Sequence, residues 1–264
     1  MDRRIRMNLV WIALFTLGTV TTTFASDVAP YDRFDLVVID PGHGGADYGA
    51  RGASGVREKD VVLQVARRIG ASLIAAKIDV VFTREDDRFV ALSERSAIAN
   101  RAHGDLYLSI HANSAKSGRA RGPETYFLSV DASDEAAMRV AMMENDIFGQ
   151  EGAVLDSADI VAGILGDLII SDHMRSSSEI AGAIQRNLAR LNGDSRGVKQ
   201  APFVVLMGVN MPAALIEIGF LTNPNEARRL RTQQYQDAIA NAVARAVRSY
   251  RDARHARLKQ EDSR

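Results

Sequence analysis

Short apolar runs alternate with stretches of helical periodicity along this chain, and that alternation decides its fold class. Phe34 to Asp40 (FDLVVID) is too short for a helix and stops at Pro41-Gly42-His43-Gly44-Gly45, so it reads as a buried strand. From Glu58 to Ala76, apolar residues fall at Val62, Val65, Ala66, Ile69 and Leu73, which is the spacing of one helix face. Strands are then predicted over Ile78–Phe82, Asp105–His111 (DLYLSIH), Thr125–Leu128, Phe203–Leu206 and Ala213–Ile218. Helices are predicted over Leu92–Arg101 and from Glu226 to about Ala256. Strands separated by helices imply an α/β fold, with a mostly parallel or mixed twisted sheet covered by helices on both faces. At 264 residues the chain is long enough for one large domain or two small ones, and one domain over 34–250 accounts for the pattern.

Between Asp131 and Asn192 the rhythm changes to helix after helix, with candidates over Asp134–Asp146, Asp156–Leu168 and Ser178–Leu191. One helix suffices to cross between two strands, so residues 131–176 read as a helical insert near the site, a lid or regulatory element. The last helix carries Arg245, Arg248, Arg251, Arg254 and Arg257. Steps of three spiral around a helix of 3.6 residues per turn, so these arginines read as a solvated face, and 251–264 as a polar tail.

The amino terminus stands apart. Arg3, Arg4 and Arg6 precede a twelve-residue apolar run from Leu9 to Val20, and Thr23-Phe24-Ala25 supplies small residues for cleavage. That order is a secretory signal peptide over 1–25, followed by a short linker over 26–33. A membrane anchor needs about 20 apolar residues, so none is expected. Arg3-Arg4 also admits twin-arginine export. Charge is balanced, 33 basic against 33 acidic, and tips slightly acidic without the leader, which argues against a nucleic-acid partner. The sequence contains no Cys, which excludes disulfides, thiolate metal sites and a cysteine nucleophile. Export without disulfides points to a bacterial envelope compartment, the periplasm.

Any metal must therefore be held by His, Asp or Glu. Two of the five histidines directly follow apolar strands: His43 after the first, and His111 at the end of Leu106–His111. Ligands in open α/β sheets bind beyond the carboxyl ends of strands, so both imidazoles are expected in one crevice. Glu58 opens a helix after a loop with Gly49, Gly52 and Gly55 that is able to carry it back over the sheet edge. Two imidazoles, a carboxylate and an open position suit a catalytic zinc; manganese and iron share the same donor types. His103 and His255 read as surface residues and His173 as a structural residue of the insert. Glu217 interrupts the apolar run Ala213–Ile218. A buried carboxylate needs a partner, a metal or a proton, and Glu217 reads as a general base or a structural carboxylate.

Three stretches together, VVIDPGHGG (37–45), LSIHAN (108–113) and EIGFLTN (217–223), resemble the zinc-dependent N-acetylmuramoyl-L-alanine amidases, among them the cell-division amidases of Gram-negative bacteria. Thr83-Arg84, Glu94-Arg95 and Asn100 agree with that resemblance, which covers about 36–230. It implies His43, Glu58 and His111 as ligands of one Zn2+ per chain and Glu217 as the catalytic glutamate. It also implies hydrolysis of the amide between N-acetylmuramic acid and L-alanine in peptidoglycan. In division-type members a helix places a glutamate in the open zinc position until a partner with a LytM-like domain displaces it. Glu144, in Met142-Met143-Glu144-Asn145-Asp146, is the residue here that matches, with Glu151 second. With about ten residues between Ala25 and the first strand, no separate targeting domain is expected. The rival readings are a zinc peptidase acting on stem peptides and an inactive wall-binding or activator protein. A monomer is expected.

Overall fold

The computed structural model describes residues 34–52, 55–145, 168–261 and 263. The predicted signal peptide and linker, the helix Asp156–Leu168 except its last residue, and Glu151 lie outside them. In chain order the elements are β1 (Leu36–Pro41), α1 (Glu58–Ala75), β2 (Asp79–Phe82), α2 (Leu92–Arg101), β3 (Leu106–Asn113), β4 (Glu124–Leu128) and α3 (Glu135–Asn145). They continue with α4 (Leu168–Asn192), β5 (Val198–Ala201), α5 (Val204–Met207), β6 (Ala213–Phe220), α6 (Pro224–Leu230) and α7 (Gln233–Glu261).

Six strands form one mixed sheet in the order β2-β1-β3-β6-β4-β5. β2, β1, β3 and β6 are parallel; β4 runs antiparallel to β6 and carries β5 parallel to itself. Alternation along the central strands splits the interior into two layers. Val37, Ile39, Leu106, Leu108, Ile110, Ala214, Ile216 and Ile218 pack against α1, α4 and α7. Val38, Tyr107, Ala213 and Leu215 point the other way, against Ala99 of α2, Ala137, Val140 and Ala141 of α3, and Val205 and Leu206 of α5. The polar residues Asp40, Ser109, His111 and Glu217 share this second face, toward the carboxyl ends of β1, β3 and β6.

Three expectations are corrected. Phe203–Leu206 is not a strand: Val204–Met207 is a single helical turn, with Leu206 N–H donating to the Phe203 carbonyl at 3.0 Å. A four-residue apolar run reads alike for a buried strand and a buried turn, and Pro202 and Gly208 bound both. The strand lies just before it, at Val198–Ala201, where Lys199 and Gln200 disguise it because β5 is a sheet edge with half-exposed side chains. The terminal helix is two: Arg231 ends α6, and Thr232 Oγ1 accepts from Tyr235 N–H at 3.3 Å to cap α7.

The predicted helix Ser178–Leu191 falls wholly within α4, and Asp134–Asp146 corresponds to α3, with Asp134 just before it and Asp146 outside the described residues. Asp134 starts α3 by accepting from Ala137 N–H at 2.7 Å. Asn145 anchors its far end, donating to the Pro202 carbonyl at 2.9 Å and accepting from Val204 N–H at 2.9 Å. No helix among the described residues is long and apolar enough to cross a membrane.

Candidate metal centre

The loop that carries His43 is shaped by two buried guanidinium groups. Arg95 donates to the Asp40 carboxylate at 2.7 Å, to the Pro41 carbonyl at 2.8 Å and to the His43 carbonyl at 2.8 Å. Arg84 donates to the carbonyls of Pro41 at 2.9 Å, Gly42 at 2.7 Å and Lys59 at 3.1 Å, tying the loop to the first turn of α1. These bonds hold His43 in the left-handed region, at φ 59°. Burial pushes the Asp40 carboxyl up, but the Arg95 cation and hydrogen bonds from Thr83, Arg95 and Ser109 outweigh it and hold the group at about 2.

With the loop fixed, His43 Nδ1 faces Asp47 Oδ2 at 2.9 Å, and its Nε2 is left to point inward. Glu58, the first residue of α1, is buried, and its two oxygens accept from Ala50 N–H at 2.8 Å and Ala112 N–H at 2.9 Å. The glycine-rich loop does return it to the sheet edge. A Cβ at Gly49, whose φ is 62°, would lie 2.5 Å from the His43 ring and 2.6 Å from Glu58 Oε2.

His43, Glu58, His111 and Glu144 converge, each offering one ligand atom within 4.8 Å of the others. His43 Nε2 lies 3.1 Å from Glu58 Oε2 and 3.3 Å from Glu144 Oε2. His111 Nδ1 lies 3.1 Å from Glu58 Oε1 and 2.8 Å from Glu144 Oε2. Zinc bonds of 2.0–2.1 Å in a tetrahedron put neighbouring ligand atoms about 3.3 Å apart, so the spacing and the all-nitrogen-and-oxygen donor set fit that ion. His43 Nε2 and Glu144 Oε2 are buried without a hydrogen-bond partner, as atoms reserved for a cation are. Within the cluster the imidazoles and carboxylates shift one another. Burial works against the His111 imidazolium, yet Glu144 and Glu58 hold it to about 10. His43 is likewise raised against burial, by Glu58 and Asp47, while Glu144 is held down, chiefly by His111.

Glu217 sits beside this cluster because β3 and β6 pair His111 directly with it. It is fully buried, and neither carboxylate oxygen has a hydrogen-bond partner. Burial first, and the charge of Glu144 second, push its carboxyl well above the usual range. With Glu144 in place, the cavity over His43 and His111 holds about 20 Å³, room for one water.

The other histidines do not join. His103 is exposed, His255 is half-buried on α7, and His173 lies on α4. Asp47, Arg84 and Arg95 have no role in the sequence reading, although Thr83-Arg84 and Glu94-Arg95 are among its motifs.

The sequence profile of a family described as N-acetylmuramoyl-L-alanine amidase (Amidase_3) matches residues 37–249. The chain is 36% identical over 220 residues to N-acetylmuramoyl-L-alanine amidase AmiA of Escherichia coli (strain K12), covering 81% of this chain and 75% of that protein. It is 34% identical to AmiC of Escherichia coli O6:H1, over 83% of this chain but 53% of that longer protein. Among solved structures, the N-acetylmuramoyl-L-alanine amidase of Clostridium difficile 630 superposes with a TM-score of 0.63 at 30% identity, covering 83% of this chain and 97% of that one. With its mixed sheet and four convergent ligand groups, the chain belongs to the N-acetylmuramoyl-L-alanine amidase family of amide hydrolases.

Proposed function

We propose that this protein is a zinc hydrolase that cleaves the amide between N-acetylmuramic acid and L-alanine in peptidoglycan, in wall remodelling and daughter-cell separation. The observation that carries the proposal is the meeting of His43, Glu58 and His111 around one point with unpartnered Glu217 in register beside them. His43, Glu58 and His111 would hold one Zn2+ per chain, which supplies Lewis-acid polarisation of the scissile carbonyl and acidifies water. Asp47 orients His43, and the Ala50 and Ala112 amides orient Glu58. Glu217 takes a proton from the attacking water at a carboxylate oxygen. As the carbon–nitrogen bond breaks, it passes that proton to the departing L-alanine amine.

Glu144 offers the fourth atom of the cluster, beside a cavity of about 20 Å³ over His43 and His111. We read it as an autoinhibitory ligand that is withdrawn when a partner with a LytM-like domain displaces α3. Export to the periplasm through a cleavable leader over residues 1–25 fits this substrate.

The test is digestion of purified sacculi with zinc-loaded protein and mass analysis of the products. Peptides with a free L-alanine amine are expected; cleavage inside the stem peptide would establish the rival peptidase. Glu217→Ala should keep its zinc and lose about 10²–10⁴-fold in turnover. Wild-type turnover in that variant would refute the role of Glu217.

A further inference from the structure

Buried polar atoms without hydrogen-bond partners gather at one end of this sheet. His43 Nε2, Glu144 Oε2 and both oxygens of Glu217 are accounted for by the metal and the proton. Another orphan of the same region is not: Asn113 Nδ2. Asn113 is 5% exposed and closes β3 two residues after His111. Strand alternation puts His111 and Asn113 on one face, while Ala112 between them enters the opposite core. The backbone of Asn113 is fixed, its carbonyl accepting from Leu221 N–H at 2.8 Å. Just here the β3–β6 register slips, from His111 opposite Glu217 to Asn113 opposite Phe220, with Gly219 at φ 148°. The carboxamide is therefore carried on a fixed strand end, and its Nδ2 has no hydrogen-bond partner among the described residues.

Buried amides of this kind are unfavourable and rare unless something outside the chain pairs with them. Asn113 lies two residues beyond His111 along the strand, about 6.6 Å away, which matches the span of two residues of an extended peptide. A carboxamide N–H donates to an acceptor oxygen, and each peptide unit of a stem peptide presents one as its carbonyl. We infer that Asn113 contacts the substrate, its carboxamide N–H donating to a carbonyl oxygen of the stem peptide next to the scissile amide. The inference rests on the amidase reading above and adds a residue to it.

Asn113→Leu removes the donor at similar shape and Asn113→Ala removes it without crowding. Each is compared with wild type by thermal melt, zinc content, and kcat and KM on a soluble muramoyl peptide. Because Asn113 Nδ2 has no hydrogen-bond partner among the described residues, Asn113→Leu should melt at or above the wild-type temperature and keep its zinc. Both variants should lose about 10–100-fold in kcat/KM. A structural role gives the opposite pattern, a lower melt with normal kcat/KM in the folded enzyme, and overturns the assignment; so does zinc lost in step with activity. If Asn113→Leu does not fold, Asn113→Ala decides by kcat/KM alone. A wild type that releases no L-alanine-terminated peptide ends the amidase reading itself, whereas an active wild type matched by both variants ends only the role of Asn113.

Discussion

Replacing Gly42 by alanine adds one carbon where the site has no room for it. On the existing backbone that Cβ would lie 2.3 Å from His111 Cε1, 2.5 Å from Nε2 and 2.8 Å from Nδ1. Carbon atoms settle about 3.5–4.0 Å apart, so the ring or the loop must give by more than about 1 Å. The loop is the stiffer partner. Gly42 N–H donates to the Ile110 carbonyl at 3.0 Å and its own carbonyl accepts from buried Arg84 at 2.7 Å. The imidazole therefore moves. A zinc–nitrogen bond of about 2.0–2.1 Å does not survive a displacement of half its length. Loss of an orienting partner alone weakens metal binding about 10–100-fold, so a displaced ligand should weaken it by at least about 100-fold. Overpacking should cost the metal-free fold about 1–3 kcal/mol, within the ~5–15 kcal/mol that keeps such domains folded. Competition against a chromophoric chelator gives the zinc affinity, and a circular dichroism melt of the metal-free protein gives the fold. Gly42→Ala that binds zinc within about threefold of wild type, while melting lower, would refute the placement of the His111 ring as a ligand.

Asp40 links the site to acid stability. Its folded value of about 2 lies below the ordinary 3.8, so its stabilisation is present above about pH 4 and is lost as the pH falls through 2. The stability gap between wild type and Asp40→Asn, read by urea unfolding, should shrink by about 2 kcal/mol between pH 5 and pH 2; a constant gap would contradict the Asp40–Arg95 pairing. Glu144→Ala should raise basal turnover on sacculi by about tenfold or more, as removal of an obstruction worth ~1.4 kcal/mol or more requires. An unchanged basal rate would remove the autoinhibitory reading.

The residues that converge in the candidate site are legible because each breaks a local rule. His43 and His111 stand where apolar runs end, and Glu58 opens a helix behind three glycines. Glu217 puts a charge inside a strand that is otherwise apolar. What surrounds them was not legible, for physical reasons. Arg84 acts on main-chain carbonyls, which every residue has, and the one carboxylate that Arg95 pairs with, Asp40, lies 55 residues away, so no local pattern announces either. The pairing of His111 with Glu217 is a matter of register between strands about a hundred residues apart, which periodicity within either strand does not specify. Lys199 and Gln200 hide β5 because edge strands tolerate polar residues, and Phe203–Leu206 reads as a strand because four apolar residues carry no period.

The proposed hydrolase needs one cation on His43, Glu58 and His111. Plasma mass spectrometry of protein dialysed against trace zinc measures that directly. Wild type should retain one zinc per chain and His111→Ala essentially none, with both proteins folded by circular dichroism. A wild type free of zinc, or a His111→Ala variant that keeps a full equivalent, would contradict it.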